Sequence, residues 1–173
     1  IGPEIHLDYF LKPGLSFHSN IARSGITTFD EISRGTKGGL PKVRTDLRKY
    51  LNVTDTRIED FYINSFSKLS DKIYNRVTLG YLESMYAGLS FEVLHSDPNS
   101  QFSFGAELNY VKPRDYRQLL EFREVSGMPD LNGHFSTYWQ TGFYDYDAQV
   151  DIGRYLAGDK GVTLTLSRNF PSG

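Results

Sequence analysis

The sequence predicts an all-β chain, an antiparallel up-and-down meander of two-faced strands. Three features predict it. Between Phe102 and Tyr110, the residues Phe102, Phe104, Ala106, Leu108 and Tyr110 alternate with Ser103, Gly105, Glu107 and Asn109, and a period of two sets the two groups on opposite faces of a strand. The pattern recurs in successive stretches from Ile73 to Phe170. The links between several of these stretches are short, and short links join antiparallel neighbours. The stretches also match the length of a tilted bilayer crossing, about 9–11 residues with an apolar outside and a polar inside.

Residues 2–22 read as a hairpin: Ile5, Leu7 and Tyr9 alternate with His6 and Asp8, Lys12-Pro13-Gly14 makes the turn, and Leu15, Phe17 and Ser19 resume the pattern. Residues 23–57 are polar and glycine-rich, broken by Gly38-Gly39 and Pro41, and read as an irregular connection with a short helical turn at 46–51. The meander proper is expected over 58–173. Residues 58–69 are strand-like but ambiguous, with Phe61, Ile63 and Phe66. Strand 73–82 sets Ile73, Val77, Leu79 and Tyr81 against Arg76, Thr78 and Gly80; strand 86–95 sets Ala87, Leu89, Phe91 and Val93 against Gly88, Ser90 and Glu92. After strand 102–111 comes a long polar segment, 112–133, then strand 134–142 with Trp139. Strand 146–155 opposes Tyr146, Ala148, Val150 and Ile152 to Asp147, Gln149, Asp151 and Gly153; strand 162–170 opposes Val162, Leu164 and Leu166 to Thr163, Thr165 and Ser167. Asp97-Pro98-Asn99 is a strong turn signal in the link 96–101.

Composition narrows the function classes. A chain of 173 residues with a net charge of −2 carries no basic field for nucleic acid. No apolar run of 18 residues exists to form a transmembrane helix, whereas a barrel strand is half polar and keeps mean hydropathy low. Twelve Tyr and twelve Phe suit a sheet, an interfacial belt or a sugar-binding surface. Cysteine is absent, which removes disulfide and thiol chemistry. The first residue is Ile1 rather than Met, and the reading is of one segment of a larger protein.

The polar faces gather Arg76, Glu92, Glu107, Asn109, Asp147 and Asp151. They fit a hydrated wall, with Arg76 as the internal counter-ion, and equally an ordinary solvated sheet face. Strand parity brings the links 83–85, 112–133 and 157–161 to one rim and 96–101 and 143–145 to the other. Glu83, Arg114, Asp115, His134, Arg154 and Asp159 therefore converge near one mouth. The four histidines, His6, His18, His95 and His134, show no metal-ligand spacing, so neither a metal nor a cofactor is expected. No G-x-S-x-G elbow is present. Gly153, Gly158 and Gly161 lead into a strand rather than a helix, the pattern of a turn and not of a phosphate loop. Tyr81, Tyr86, Tyr110, Trp139, Tyr144 and Tyr146 fall near strand ends, where amphipathic rings form a membrane girdle or pack a soluble core.

Four longer strings are more specific: LPKVRTDLRKYL at 40–51, GYLESMYAG at 80–88, GAELNYVKPRDY at 105–116 and GRYLAGDKGVTLTLSRNF at 153–170. In order and spacing they resemble the YjbH/GfcD-type outer-membrane protein family of exopolysaccharide and group 4 capsule loci. The resemblance runs from about Leu40 to Gly173. The chain departs from the family pattern at Lys112-Pro113, at Asn132-Gly133-His134 and at Lys160. The resemblance implies a segment of an outer-membrane β-barrel in a Gram-negative bacterium, often exported as a lipoprotein. Its implied partners are outer-membrane lipid, polysaccharide and other proteins of the same export locus. It implies no catalytic residue, and no enzyme is expected.

Under that reading the polar set Arg76, Glu92, Glu107, Asn109, Asp147 and Asp151 faces the lumen and the polysaccharide. The mouth residues form a gate or partner contact. Two rivals stand beside it. A soluble periplasmic β-sandwich binding glycan or a secretion partner would pack its apolar face inside the protein. A glycan-modifying enzyme would set two carboxylates, such as two of Glu83, Glu92 and Glu107, across a cleft.

Overall fold

A computed structural model describes residues 2–23, 43–44, 49–50, 56–125, 127–168 and 170. Among them nine strands follow one another in a single sheet of order β1 to β9, every neighbouring pair antiparallel. They are β1 (Glu4–Lys12), β2 (Leu15–Arg23), β3 (Thr56–Ser70), β4 (Ile73–Tyr81), β5 (Tyr86–Ser96), β6 (Phe102–Pro113), β7 (Leu131–Gln140), β8 (Tyr146–Arg154) and β9 (Lys160–Arg168). The expected all-β up-and-down meander is present.

The boundaries shift for local reasons. The ambiguous stretch 58–69 is the interior of β3, a strand of 15 residues. Its pattern is blurred by a bulge: Asn20 pairs with Asp60 and Ile21 with Ile58, leaving Glu59 as the extra residue. β6 runs on to Pro113, which ends a strand because it has no donor to give. β7 begins at Leu131 rather than 134, since Leu131 still pairs with Tyr110, and stops at Gln140. Gly142, Tyr144 and Asp145 then take φ values of 67°, 46° and 57°, which close the turn instead of extending the strand. Of the helical turn expected at 46–51, only Lys49 and Tyr50 are described, and both are helical; the rest of 23–57 up to β3 lies largely outside the described residues.

Register carries the two faces across the whole sheet. One row runs Leu79, Leu89, Tyr110 and Leu131; another runs Phe91, Leu108 and Gly133. The apolar face is bare from end to end: Leu7, Leu79, Leu108, Phe135, Ile152 and Leu164 are all more than half exposed. The buried apolar cluster lies elsewhere. Tyr50, Met85, Tyr86 and Val111, flanked by Val43, Leu82, Tyr116, Met128 and Leu156, pack at one end of the sheet on its polar side. Parity sets the links 82–85, 114–130 and 155–159 at that end and 13–14, 71–72, 97–101 and 141–145 at the other.

The aromatic expectations divide. Tyr110, Trp139, Tyr144 and Tyr146 are exposed near strand ends, and Trp139 stacks on Phe102 with ring centres 5.8 Å apart. Tyr86 does not belong to a girdle: it is 3% exposed and donates its hydroxyl to the Val43 carbonyl at 2.6 Å. Tyr86 shares the parity of Gly88 and Val111, the polar face, so its ring turns into the end cluster rather than outward.

Candidate functional site

The polar wall is a hydrogen-bonded lattice built one residue per strand. Arg76 stands opposite Glu92, Glu92 opposite Glu107, and Glu107 opposite His134. The Arg76 guanidinium pairs with the Glu92 carboxylate, and the Asn109 amide donates to Glu107. Asn109 also donates to the Asn132 side-chain oxygen, Oδ1, at 3.3 Å. Asp151 accepts from the Ser136 hydroxyl at 2.6 Å and from the Gln149 amide at 2.8 and 2.9 Å. Asp147, opposite Gln140 and Ser167, carries the wall to the far end. The six residues expected on the polar face all share one parity of the sheet.

Sequence reasoning missed the first third of this wall. His18 lies between two carboxylates, its Nδ1 on Asp8 and its Nε2 3.1 Å from Asp60, with its ring stacked on Tyr62. Asn20 donates to Glu4 at 2.8 Å and to Glu59 at 3.2 Å, and Arg57 binds Glu59 at 2.7 Å. The alternation of His6 and Asp8, and of His18 and Asn20, was the signal available for it. The bulge at Glu59 hides it, because it changes the phase of β3 near its start.

The mouth residues have separate fates. Arg114 is fully buried, not displayed. Its guanidinium donates to four backbone carbonyls: Nη1 to Glu59 at 3.1 Å and Glu83 at 3.0 Å, Nη2 to Ile58 at 2.7 Å and Gln118 at 2.9 Å. It lies 4.2 Å from the centre of the Tyr81 ring. Burial pushes its pKa down, opposed by Tyr81, Tyr50 and Asp60. It is a clamp joining the segment after β6, the β4–β5 turn and the start of β3.

Glu83 gives the clamp its carbonyl and holds Arg44 through its carboxylate at 3.0 Å. Asp115 accepts the Arg117 N–H at 3.0 Å and so shapes the segment itself. Asp159 closes the β8–β9 turn, its carbonyl accepting the Tyr155 N–H at 2.8 Å. His134 lies on the polar face with its ring edge-on to Tyr155, centres 4.6 Å apart. Arg154, the last residue of β8, pairs in register with Gly133 and Lys160 at the same end; it has the apolar-face parity of Ile152, and its Nη2 lies 3.7 Å from where a side chain on Gly158 would begin. Strand direction thus brings Glu83, Arg114, Asp115, His134, Arg154 and Asp159 to one end, where a hydrogen bond joins Arg114 directly to Glu83. Among the described residues no group of three or more His, Cys, Asp or Glu is placed to hold a metal ion. No helix among them is long and apolar enough to cross a membrane.

A family model described as "Exopolysaccharide biosynthesis protein YbjH" matches residues 1–173. A protein of Escherichia coli strain K12 named "Uncharacterized lipoprotein YjbH" is 35% identical over 167 residues, which cover 96% of this chain and 24% of that protein. The chain therefore spans about a quarter of the length of that relative. No solved structure matches.

Proposed function

The chain belongs to the YjbH family of exopolysaccharide biosynthesis proteins, and from that membership we propose that it forms part of the wall of an outer-membrane β-barrel that assists export or surface assembly of the polysaccharide. The observation that carries this reading is the sheet's asymmetry: nine strands with one bare apolar face and one hydrogen-bonded polar face. A nine-residue strand such as β8, rising about 3.3 Å per residue and tilted by about 40°, covers roughly 23 Å of height, close to the apolar band of about 25 Å on a membrane barrel. Lipid hydrogen-bonds no backbone group, so a spanning sheet has to close. With nine antiparallel strands, β1 and β9 run in the same direction. Antiparallel closure then takes an odd number of further strands from outside those described. Like its lipoprotein relative, the full-length protein is proposed to be lipid-anchored in the cell envelope.

In this reading the lattice of Arg76, Glu92, Glu107, Asn109, Asp147 and Asp151 lines a hydrated lumen along which a hydroxyl-rich polymer passes or docks. The clamped end forms the constriction or partner contact. The role is that of a conduit, without catalysis. The test is fractionation of the full-length protein followed by electrophoresis in detergent with and without boiling. Outer-membrane recovery with a mobility shift on boiling is expected. Recovery in the soluble periplasm with no shift overturns the barrel and puts a soluble glycan-binding module in its place.

A further inference from the structure

A cleft of about 370 Å³ opens on the polar face at the clamped end, between the β4–β5 turn, β6, β7 and the β8–β9 turn. Its size falls in the range of small-molecule sites, roughly 300–1,000 Å³. Tyr155 and His134 form one wall in edge-to-face contact, and Asn109 and Asn132 lie on the strands beside them. Glu83 and Val111 line the remainder with further apolar side chains. Among the described residues no lysine or arginine lines the cleft, and the one carboxylate among them, Glu83, is already engaged by Arg44.

We propose that this cleft is a binding subsite for one or two pyranose units of a neutral or acetamido saccharide, resting on the reading of the polar face as the polysaccharide-facing side. Three observations argue for it. The wall is prearranged: a side chain at Gly153 would clash with the Gly133 carbonyl and come within 2.9 Å of His134 Cδ2, so glycine there lets the imidazole sit against the sheet. One at Gly161 would press to 3.2 Å from the Tyr155 ring, and the Tyr155 hydroxyl is tied to Thr163. Second, His134 Nε2 is buried with no hydrogen-bond partner among the described residues. A buried polar atom takes a partner, and a sugar hydroxyl, at once donor and acceptor, serves an imidazole nitrogen in either tautomer. Third, Asn132 is 8% exposed and spends its side-chain oxygen on Asn109. Its amide donors are left for a ring oxygen or hydroxyl. Ring faces take the apolar C–H side of a pyranose, and amides take its hydroxyls. Among the described residues the lining holds no cation, and Arg44 beside it is already engaged by Glu83, so a uronate or phosphosugar has no uncommitted counter-ion here.

The test uses full-length protein in detergent micelles, titrated calorimetrically with cellotetraose, with the N-acetylglucosamine tetramer and with tetragalacturonate. Either uncharged tetramer is expected to bind about tenfold or more tightly than tetragalacturonate. Asn132→Ala and Tyr155→Ala are each expected to weaken that binding about tenfold, the loss of one or two well-placed contacts, while keeping the heat-modifiable band. The proposal is overturned by no binding of either uncharged tetramer up to about 10 mM, by preference for tetragalacturonate, or by binding unchanged in both variants. Absence of the heat-modifiable band in the unsubstituted protein is a separate result, and it overturns the barrel rather than the subsite.

Discussion

Glu92 on β5 and Glu107 on β6 are direct cross-strand partners on the polar face, two carboxylates in register with each other. Like charges placed this way destabilise a sheet. The wall answers with Arg76 on the far side of Glu92 and with the Asn109 amide on Glu107. A row that spends a guanidinium to hold two acids side by side keeps the wall polar and hydrogen-bonding.

Removal of Arg76 is therefore expected to expose the repulsion. Arg76→Met should destabilise the full-length protein by about 1 kcal/mol, the range of a partly exposed ion pair plus a like-charge contact. Adding Glu107→Gln should restore most of the loss, because it removes the second charge. Urea-induced unfolding in liposomes measures both. Equal losses in the single and double variants would mean that Glu92 and Glu107 do not sense each other.

The two faces of one strand give a sharper comparison. Leu164 is 65% exposed on the apolar face of β9, and its neighbour Thr165 lies on the polar face opposite Gln149. Leu164→Arg puts a cation where the lipid core is proposed and is expected to cost about 2–4 kcal/mol, whereas Thr165→Arg should cost under about 1 kcal/mol. Outer-membrane recovery and the unfolding midpoint in liposomes read the difference. Similar costs for the two would place both faces in water.

How much of this was legible in the sequence depends on the element. Through the middle of β4 to β9 the alternation is clear, and it assigns single residues such as Glu107 and Leu108 to their faces unaided. β3 resisted because aromatic side chains occupy both of its faces, Phe61 on one and Tyr62 and Phe66 on the other, and because Glu59 shifts its phase. The mouth was legible as a location, through parity alone, but not as chemistry. Arg114 reads as an exposed charge because its partners are backbone carbonyls of Ile58, Glu59 and Glu83, and carbonyls leave no mark in a sequence. Tyr86 reads as a girdle residue for the same reason: what buries it is the end cluster of Tyr50, Met85 and Val111, from separate stretches of the chain.

The Arg114 clamp predicts its own failure pattern. Four carbonyls converge on two guanidinium nitrogens. Lysine offers a single charged point and cannot bridge them. Arg114→Lys and Arg114→Met should both loosen the docking of segment 114–130 by on the order of 3 kcal/mol, the scale of charge-assisted hydrogen bonds left unmade. The strands themselves should persist. Limited proteolysis is expected to cut within 114–130 in both variants while the heat-modifiable band remains. Rescue by lysine would show that charge alone, rather than the planar fork, holds the end together.

Alkali should release the same docking through Tyr50. Its hydroxyl donates to the Arg114 carbonyl at 2.5 Å and accepts from Arg123 Nε at 3.1 Å. Burial pushes its pKa above the ordinary 10.0, against the lowering effect of Arg123. The sign follows from proton counting. Below pH 10.0 the phenol is neutral whether or not the end cluster is formed, and its contribution is complete. Above it, the undocked phenol ionises first, so docking weakens as pH rises toward the raised value. Proteolytic sensitivity of segment 114–130 should therefore climb as the pH passes above 10.0. In Tyr50→Phe, the segment should be more sensitive at about pH 8, for want of the hydrogen bond, with a flatter rise in alkali. An equally steep rise in that variant would assign the alkaline step to another group.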